Sequence, residues 1–323
     1  MRLSVSFSGF GGLADTIPVV EAAERFGLDG VWTAEHLGFH DAVVPSSVYL
    51  AKTERIEIGL VGLSTASRHP GLTAMELMSM SELAPGRIRA QVGLGDDSLV
   101  AKLGRSISKP IASTTAFVNS LREAMQGRDM KVSYPEFVFD GFRLAPLGPV
   151  PAIDVMAIRP KMVQVAARVG DGLSISIGAS AQYLRDVVAD VERELAEAGR
   201  DRSSFRITAL AMTAIGPDLD MLRAPIAPML STFPQASAAF LARGVIDADE
   251  LVRVEREEGP FGVMKMWTPD RVDQIAFIAT PDMLADRLAE YAATGIDELS
   301  LMMINPPDQQ PAIIEAIAAA RPS

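Results

Sequence analysis

The sequence predicts an α/β fold in which eight parallel strands close as a (β/α)8 TIM barrel carrying insertions. Three observations lead there. Short β-branched runs alternate with longer amphipathic patterns along nearly the whole chain. The strand runs are almost wholly apolar, residues 56–63 most clearly, as strands covered on both faces must be. No Gly-x-Gly-x-x-Gly turn follows the first strand, as the competing doubly wound sheet would favour; Gly9-Phe10-Gly11-Gly12 is the nearest approach. A barrel uses 323 residues as a single domain, 1–323.

The elements follow in order. Residues 3–10 alternate as a first strand ending among Gly9, Gly11 and Gly12. A helix runs from Asp15, with Pro18 in its first turn, Val20, Ala23 and Phe26 inward, and Gly27 as its stop. Strands are expected at 30–34, 56–63 and 87–95, with a methionine-rich helix at 70–83 that Pro85-Gly86 stops. Lys109-Pro110 opens a helix ending near Gly127. The rhythm breaks at 131–151, where Tyr134, Phe137, Phe139 and Phe142 around Asp140-Gly141 predict a hairpin excursion. Strands at 153–158 and 173–177 then flank a helix at 161–169. The next helix keeps Leu184, Val187, Val188, Val191, Leu195 and Ala198 at helical spacing between the cap Ser180 and the stop Gly199. A strand at 205–215 precedes a helical insertion at 217–280, where Phe261 and Trp267 near glycines fit a lid, and an extra helical layer or a dimer surface equally well. Thr280-Pro281-Asp282 caps a further helix, 296–304 is the eighth strand, and 312–320 closes the chain.

Composition narrows the function. Thirty basic against 41 acidic residues give a net charge of −11, which argues against a nucleic-acid partner. The absence of cysteine excludes disulfides, thiolate nucleophiles, zinc fingers and iron–sulfur ligation. No stretch approaches the ~20 apolar residues of a membrane span, and the first residues lack the apolar block of a signal peptide. A cytoplasmic protein with no membrane partner is expected.

Barrel chemistry sits at the C-terminal strand ends. Those ends carry Ser6 to Gly9, Glu35-His36, Val61-Gly62-Leu63-Ser64, Leu94-Gly95-Asp96, Ala157-Ile158-Arg159, Ile177-Gly178, and residues 302–305. Few of these ionise. His36 and His40 lie close together without the carboxylates of a metal site, so no metal is expected, and no Gly-x-Ser-x-Gly elbow occurs. Scarce polar groups around a large pocket point to a cofactor that brings the chemistry.

The strand ends also carry a resemblance. Trp32-Thr33-Ala34-Glu35-His36 resembles the Trp-x-x-acid-His signature of the luciferase-like monooxygenase and F420-dependent oxidoreductase superfamily. Residues 59–70, from Gly59 to Arg68-His69-Pro70, resemble its third-strand segment, and Gly93-Leu94-Gly95-Asp96 its fourth strand end. Leu103-Gly104 with Lys109-Pro110 repeats a spacing of methylenetetrahydromethanopterin reductase-like proteins. Pro160-Lys161-Met162 with residues 166–172, then Phe277-Ile278-Ala279-Thr280-Pro281, match later segments.

The resemblance implies hydride transfer at coenzyme F420, or at FMN, bound at the barrel mouth. It implies Glu35 and His36 near ring and substrate, Asp96 as a general acid with a pKa raised by burial, and Ser64 bonded to the ring or its ribityl chain. The cofactor side would comprise Glu35, Val61, Gly62, Leu63, Ser64, Leu94, Gly95, Ala157, Ile158, Arg159, Ile177 and Gly178. It also implies a non-proline cis peptide at Val61–Gly62 and a homodimer, with apolar helices of the first half as the interface. Asp97 neighbours Asp96, and either carboxylate fits a helix cap equally well. Lys161 and Arg168 read as exposed helix residues. Two departures stand out. Arg159 occupies a position where relatives carry a small residue, so it either contacts the cofactor phosphate or blocks it. Ser6 replaces the strand-one carboxylate of the reductases, which separates this chain from that exact reaction. An F420-dependent oxidoreductase leads; an FMN-dependent monooxygenase using O2 and a cofactor-less binding barrel are the rivals.

Overall fold

Eight parallel strands close on themselves in the computed structural model, which describes residues 1–145 and 147–321. The first half runs β1 (Arg2–Phe7), α1 (Leu13–Arg25), β2 (Gly30–Ala34), α2 (Val43–Lys52), β3 (Glu57–Ser64), α3 (Pro70–Leu83), β4 (Ile88–Gly93), α4 (Asp97–Lys102) and α5 (Pro110–Met125). An antiparallel hairpin, β5 (Met130–Ser133) and β6 (Val138–Phe142), leads to β7 (Ala152–Met156), α6 (Pro160–Val169), β8 (Gly172–Ile175), α7 (Ala181–Glu197) and β9 (Arg206–Ile215). Five helices follow: α8 (Leu219–Arg223), α9 (Ile226–Leu230), α10 (Gln235–Leu241), α11 (Ala248–Met266) and α12 (Pro269–Asp273). The chain ends with β10 (Phe277–Ala279), α13 (Leu284–Ala292), β11 (Glu298–Met303) and α14 (Gln310–Ala319).

The ring order is β1-β2-β3-β4-β7-β8-β9-β11, and β11 pairs back onto β1. β10 extends the ladder along β9 beyond the end of β8, a short strand inside a segment that the sequence pattern predicts as helical. Three residues are too few to show a strand period. The first and fourth expected strands run long at their C-terminal ends because the glycines there leave the ladder: Gly9 and Gly95 take positive φ. The cap on α7 forms as its sequence implies, with Ser180 Oγ accepting from the Tyr183 N–H at 3.1 Å.

Most apolar residues of the strands face the helices, whereas the N-terminal end of the barrel axis is polar, with Trp32, Val61 and Leu210 packed above it. At the N-terminal strand ends Arg89 holds the fully buried Asp154 in a fork, Nε–Oδ2 2.7 Å and Nη2–Oδ1 2.5 Å. Arg206 bonds Glu298 at 3.1 Å and also pairs with Glu57. Above this layer the Trp32 indole crosses the axis and donates to Glu298 Oε1 at 2.7 Å. Space for it comes from Gly59, where a Cβ would fall inside the indole ring. Gly59→Ala is therefore expected to lower stability by about 3 kcal/mol, because the buried ring has nowhere to relax. Urea unfolding checks this, and a midpoint equal to wild type would show that the indole can move.

Candidate active site

The strand ends open into one cavity of about 600 Å3 at the C-terminal mouth. Of the residues that the sequence points to, Glu35, His36, Gly62, Ser64, Leu94, Gly95, Asp96, Ala157, Ile158, Arg159 and Ile177 line it together. Three do not. Val61 is buried against Trp32 and Leu210 inside the barrel, Leu63 points outward into the helical core, and Gly178 turns the chain after β8 beside Leu230. Val61 and Leu63, two apart, would share a face in a regular strand; they face opposite ways because an extra residue is inserted between them, where the register with β4 shifts.

The end of β3 is built by a bulge. Register with β4 shifts between Leu60 and Leu63, and Gly62 supplies the extra residue at φ 76°. The expected cis bond at Val61–Gly62 is absent: the peptide is trans, and the left-handed glycine produces the bulge without it. Gly62, Gly93 and Gly95 consequently present bare backbone to the cavity. A Cβ at Gly95 would sit 2.6 Å from Ser64 Oγ, and one at Gly93 would lie 3.2 Å from Met156 Cβ. Ser64 locks this wall by donating to the Leu94 carbonyl at 2.9 Å. This backbone wall, with Leu94, Met156 and Ile177 also lining the cavity, suits a flat ring.

Glu35 is committed to Arg68, which grips both its carboxylate oxygens and reaches Glu76 at 2.7 Å. Burial works against the Arg68 charge, but Glu35 and Glu76 outweigh it and raise its pKa. Glu35 thus brings to the mouth a carboxylate already engaged in a Glu35–Arg68–Glu76 cluster, not a free one. His36 is different. Its imidazole lies beneath Phe10, ring centroids 4.3 Å apart, and Nδ1 is buried with no hydrogen-bond partner. Burial lowers its pKa below 6.5, against opposing contributions from the Ser8 carbonyl and the Glu35 charge. The ring is neutral at pH 7. Because the folded pKa lies below the unfolded one, this contribution to stability is present above 6.5 and fades as pH falls through the folded value. NMR titration of the three histidines should give His36 a midpoint below 6.5 that Phe10→Ala moves upward; an unmoved midpoint would mean Phe10 does not shield it.

Asp96 is exposed at the cavity edge and caps α4, accepting from the Leu99 N–H at 3.1 Å. The burial that a neutral acid would require there is missing. The side chain of its neighbour Asp97 lies outside the described residues. Arg159 stands at the start of α6 on the cavity lining. It donates to the Ala236 carbonyl at 2.7 Å and stacks on Phe240 at 4.2 Å, so it ties α6 to α10 and leaves the turn open.

Phe233, Pro234, Ser237, Ala238 and Leu241 from the helical insertion also line the cavity. The insertion does cover the mouth, but through α10 and the segment before it. Phe261 is exposed, and Trp267 is buried within the insertion's own core. Proline spacing marks the piece, yet nothing local shows which part returns to the barrel.

The geometry defines a (β/α)8 barrel whose mouth opens into a cavity walled in part by glycine backbone, with the neutral imidazole of His36 among its lining residues. The chain belongs to the luciferase-like monooxygenase family, a family of oxidoreductases, whose description matches residues 3–298. It is 26% identical over 292 residues to 5,10-methylenetetrahydromethanopterin reductase of Archaeoglobus fulgidus, covering 87% of this chain and 86% of that protein. Its fold is that of an F420-dependent secondary alcohol dehydrogenase solved with an F420–acetone adduct, TM-score 0.81 at 19% identity with both chains covered fully (100%). Monooxygenase RslO1 from Streptomyces bottropensis has the same fold, TM-score 0.77 at 17% identity, covering 99% of this chain and 98% of that one. Among the described residues, no helix is long and apolar enough to cross a membrane.

Proposed function

We propose that this protein is an F420-dependent oxidoreductase that moves a hydride between the deazaflavin and an uncharged organic substrate. The observation that carries the reading is the bare wall of Gly62, Gly93 and Gly95 facing an apolar cavity, with His36 on β2's loop and Arg159 and Lys161 three strands away around the ring. The residues fit the group. The wall would take the tricyclic ring, and the start of α6 with its two cations would take the phosphate. Coenzyme F420, when bound, exchanges hydride at C5 of its central ring. His36 would hold a proton at Nδ1 or take one from a substrate oxygen, since that atom has no competing partner. Glu35 and Arg68 fix the backbone beside it. An uncharged substrate follows from the pairing of Glu35, the neutral His36, and Leu37, Leu99 and Ile111 as apolar lining. Ser6 is buried with an unpartnered hydroxyl where the reductases place a carboxylate, which supports a substrate other than theirs.

The FMN-dependent reading draws support from the family's monooxygenases and from structural neighbours such as RslO1. Titrations of F420 and FMN, followed by quenching of Trp32 and Trp267, decide between them. Micromolar F420 affinity with FMN much weaker supports the proposal. FMN preference, with oxygen consumption once FMN is reduced, overturns it. We further propose a cytoplasmic homodimer. Val44 and Val48 on α2 and Leu72 and Met75 on α3 are exposed apolar residues at helical spacing on neighbouring helices. Light scattering at micromolar concentration should give twice the monomer mass, and Leu72→Glu should halve it; a wild-type monomer would refute this.

A further inference from the structure

Two phenyl rings stand in water at the lip of the cavity, on loops that hold them together: Phe10, 55% exposed, and Phe39, 65% exposed. After β1 the chain passes directly over the end of β2. Gly9 makes that crossing at φ 76°, and a Cβ there would fall 2.6 Å from the Ala34 carbonyl oxygen, so glycine is required twice over. The next residue, Phe10, then lays its ring on the His36 imidazole, centroids 4.3 Å apart. The Gly11 carbonyl, accepting from His40 Nε2 at 3.1 Å, anchors the loop there. A second turn meets the first. In it the His36 N–H donates to the His40 carbonyl at 3.1 Å, the Phe39 N–H donates to the His36 carbonyl at 2.9 Å, and Gly38 turns at φ 90°. Phe39 is thereby returned to Phe10, edge to face at 4.7 Å. His36, which lines the cavity, Phe10 and Phe39 form one row of rings from the cavity to solvent. The carboxylates beside the row are occupied. Arg68 holds Glu35, and Asp41 accepts from the Val43 and Val44 N–H groups at 2.8 and 2.9 Å where α2 begins.

We infer that this row is a substrate platform, on which Phe10 is a specificity-determining residue that selects substrates carrying an aryl ring. The inference rests on the reading of the mouth given above and names the class of molecule that the mouth takes. One exposed phenyl ring is ordinary, but two in edge-to-face contact beside a cavity form a patch that a ligand can cover. An aryl ring laid on them gains the offset or edge-to-face contact that aromatic pairs prefer. A saturated ring of equal size does not, a difference of about fivefold in affinity. Cations also favour ring faces, but a cation site would need a free carboxylate here, and Glu35 and Asp41 are both engaged. Leu37 on the same turn, with Leu99 and Ile111, adds apolar lining inside the cavity.

The test titrates benzyl alcohol, cyclohexylmethanol and tetramethylammonium into the protein without cofactor, following the ring resonances of His36 and Phe10 by NMR. Benzyl alcohol should bind about fivefold tighter than cyclohexylmethanol and show nuclear Overhauser contacts to Phe10. Phe10→Leu, an exposed change that keeps an apolar side chain and leaves the fold alone, should remove that preference without weakening cyclohexylmethanol. Phe39→Leu should reduce it. Equal affinity for the two alcohols, tighter binding of tetramethylammonium, or a preference that survives Phe10→Leu would overturn the platform. The F420 titration described above is read separately. F420 binding with no aryl preference removes the platform alone, whereas an aryl preference with no F420 binding keeps the platform and removes the hydride reading.

Discussion

Asp154→Asn should destabilise the protein by about 3–5 kcal/mol at pH 7, the cost of leaving a buried guanidinium without its carboxylate. Arg89 is nearly enclosed and spends both fork positions on Asp154; its one other bond goes to the Asp171 carbonyl at 3.1 Å. The double replacement Arg89→Met with Asp154→Leu should recover most of that loss, because a pair of apolar residues carries no desolvation cost. The pH dependence has a definite sign. Burial outweighs the attraction of Arg89 and raises Asp154 from 3.8 to about 6. A carboxyl raised on folding adds a protonation-linked increment that is fully present below its unfolded value of 3.8 and is lost as pH rises through 6, on top of what the pairing with Arg89 contributes at pH 7. The gap between wild type and Asp154→Asn should therefore narrow between pH 5 and pH 7 in urea unfolding. A gap under 1 kcal/mol at both pH values would mean that Arg89 finds other partners.

Gly62→Val should weaken F420 binding about a hundredfold, roughly 2.7 kcal/mol, while the protein stays folded. Two effects combine. The φ of 76° is strained for any residue with a Cβ, by about 1–2 kcal/mol, and the two methyls occupy the wall on which the ring would lie. The Cβ itself would meet nothing closer than the Glu35 carbonyl at 3.7 Å, so the backbone tolerates the change better than the ligand does. Circular dichroism with a fluorescence titration separates the two. Unaltered affinity would remove the glycine wall from the site.

The alternation of strands and helices was legible because the outward face of each strand is apolar, and so was the position of the mouth, because barrel strands deliver their C-terminal ends to one place. Glu35, His36, Ser64 and Gly95 could be picked out on that ground alone. The polar axis was less visible. Ser4 and Ser6, Arg89 and Gln91, and Glu298 and Ser300 recur two apart within strands that otherwise read as continuous apolar runs. That period of two is the signal of an inward polar face. Other features have no local signature. The grip of Arg68 on Glu35 spans 33 positions, and the anchoring of Arg159 to Ala236 spans 77. Both depend on where distant elements dock. The Val61–Gly62 bond was a different kind of miss: the family bulge is present, and glycine's positive φ makes it without a cis peptide.

The most direct measurement is a crystal structure of the protein soaked with F420 under anaerobic conditions. Planar density is expected on Gly62, Gly93 and Gly95, with the phosphate at Arg159 and Lys161 and His36 facing the central ring. Planar density elsewhere in the cavity, away from the glycine wall, would contradict it.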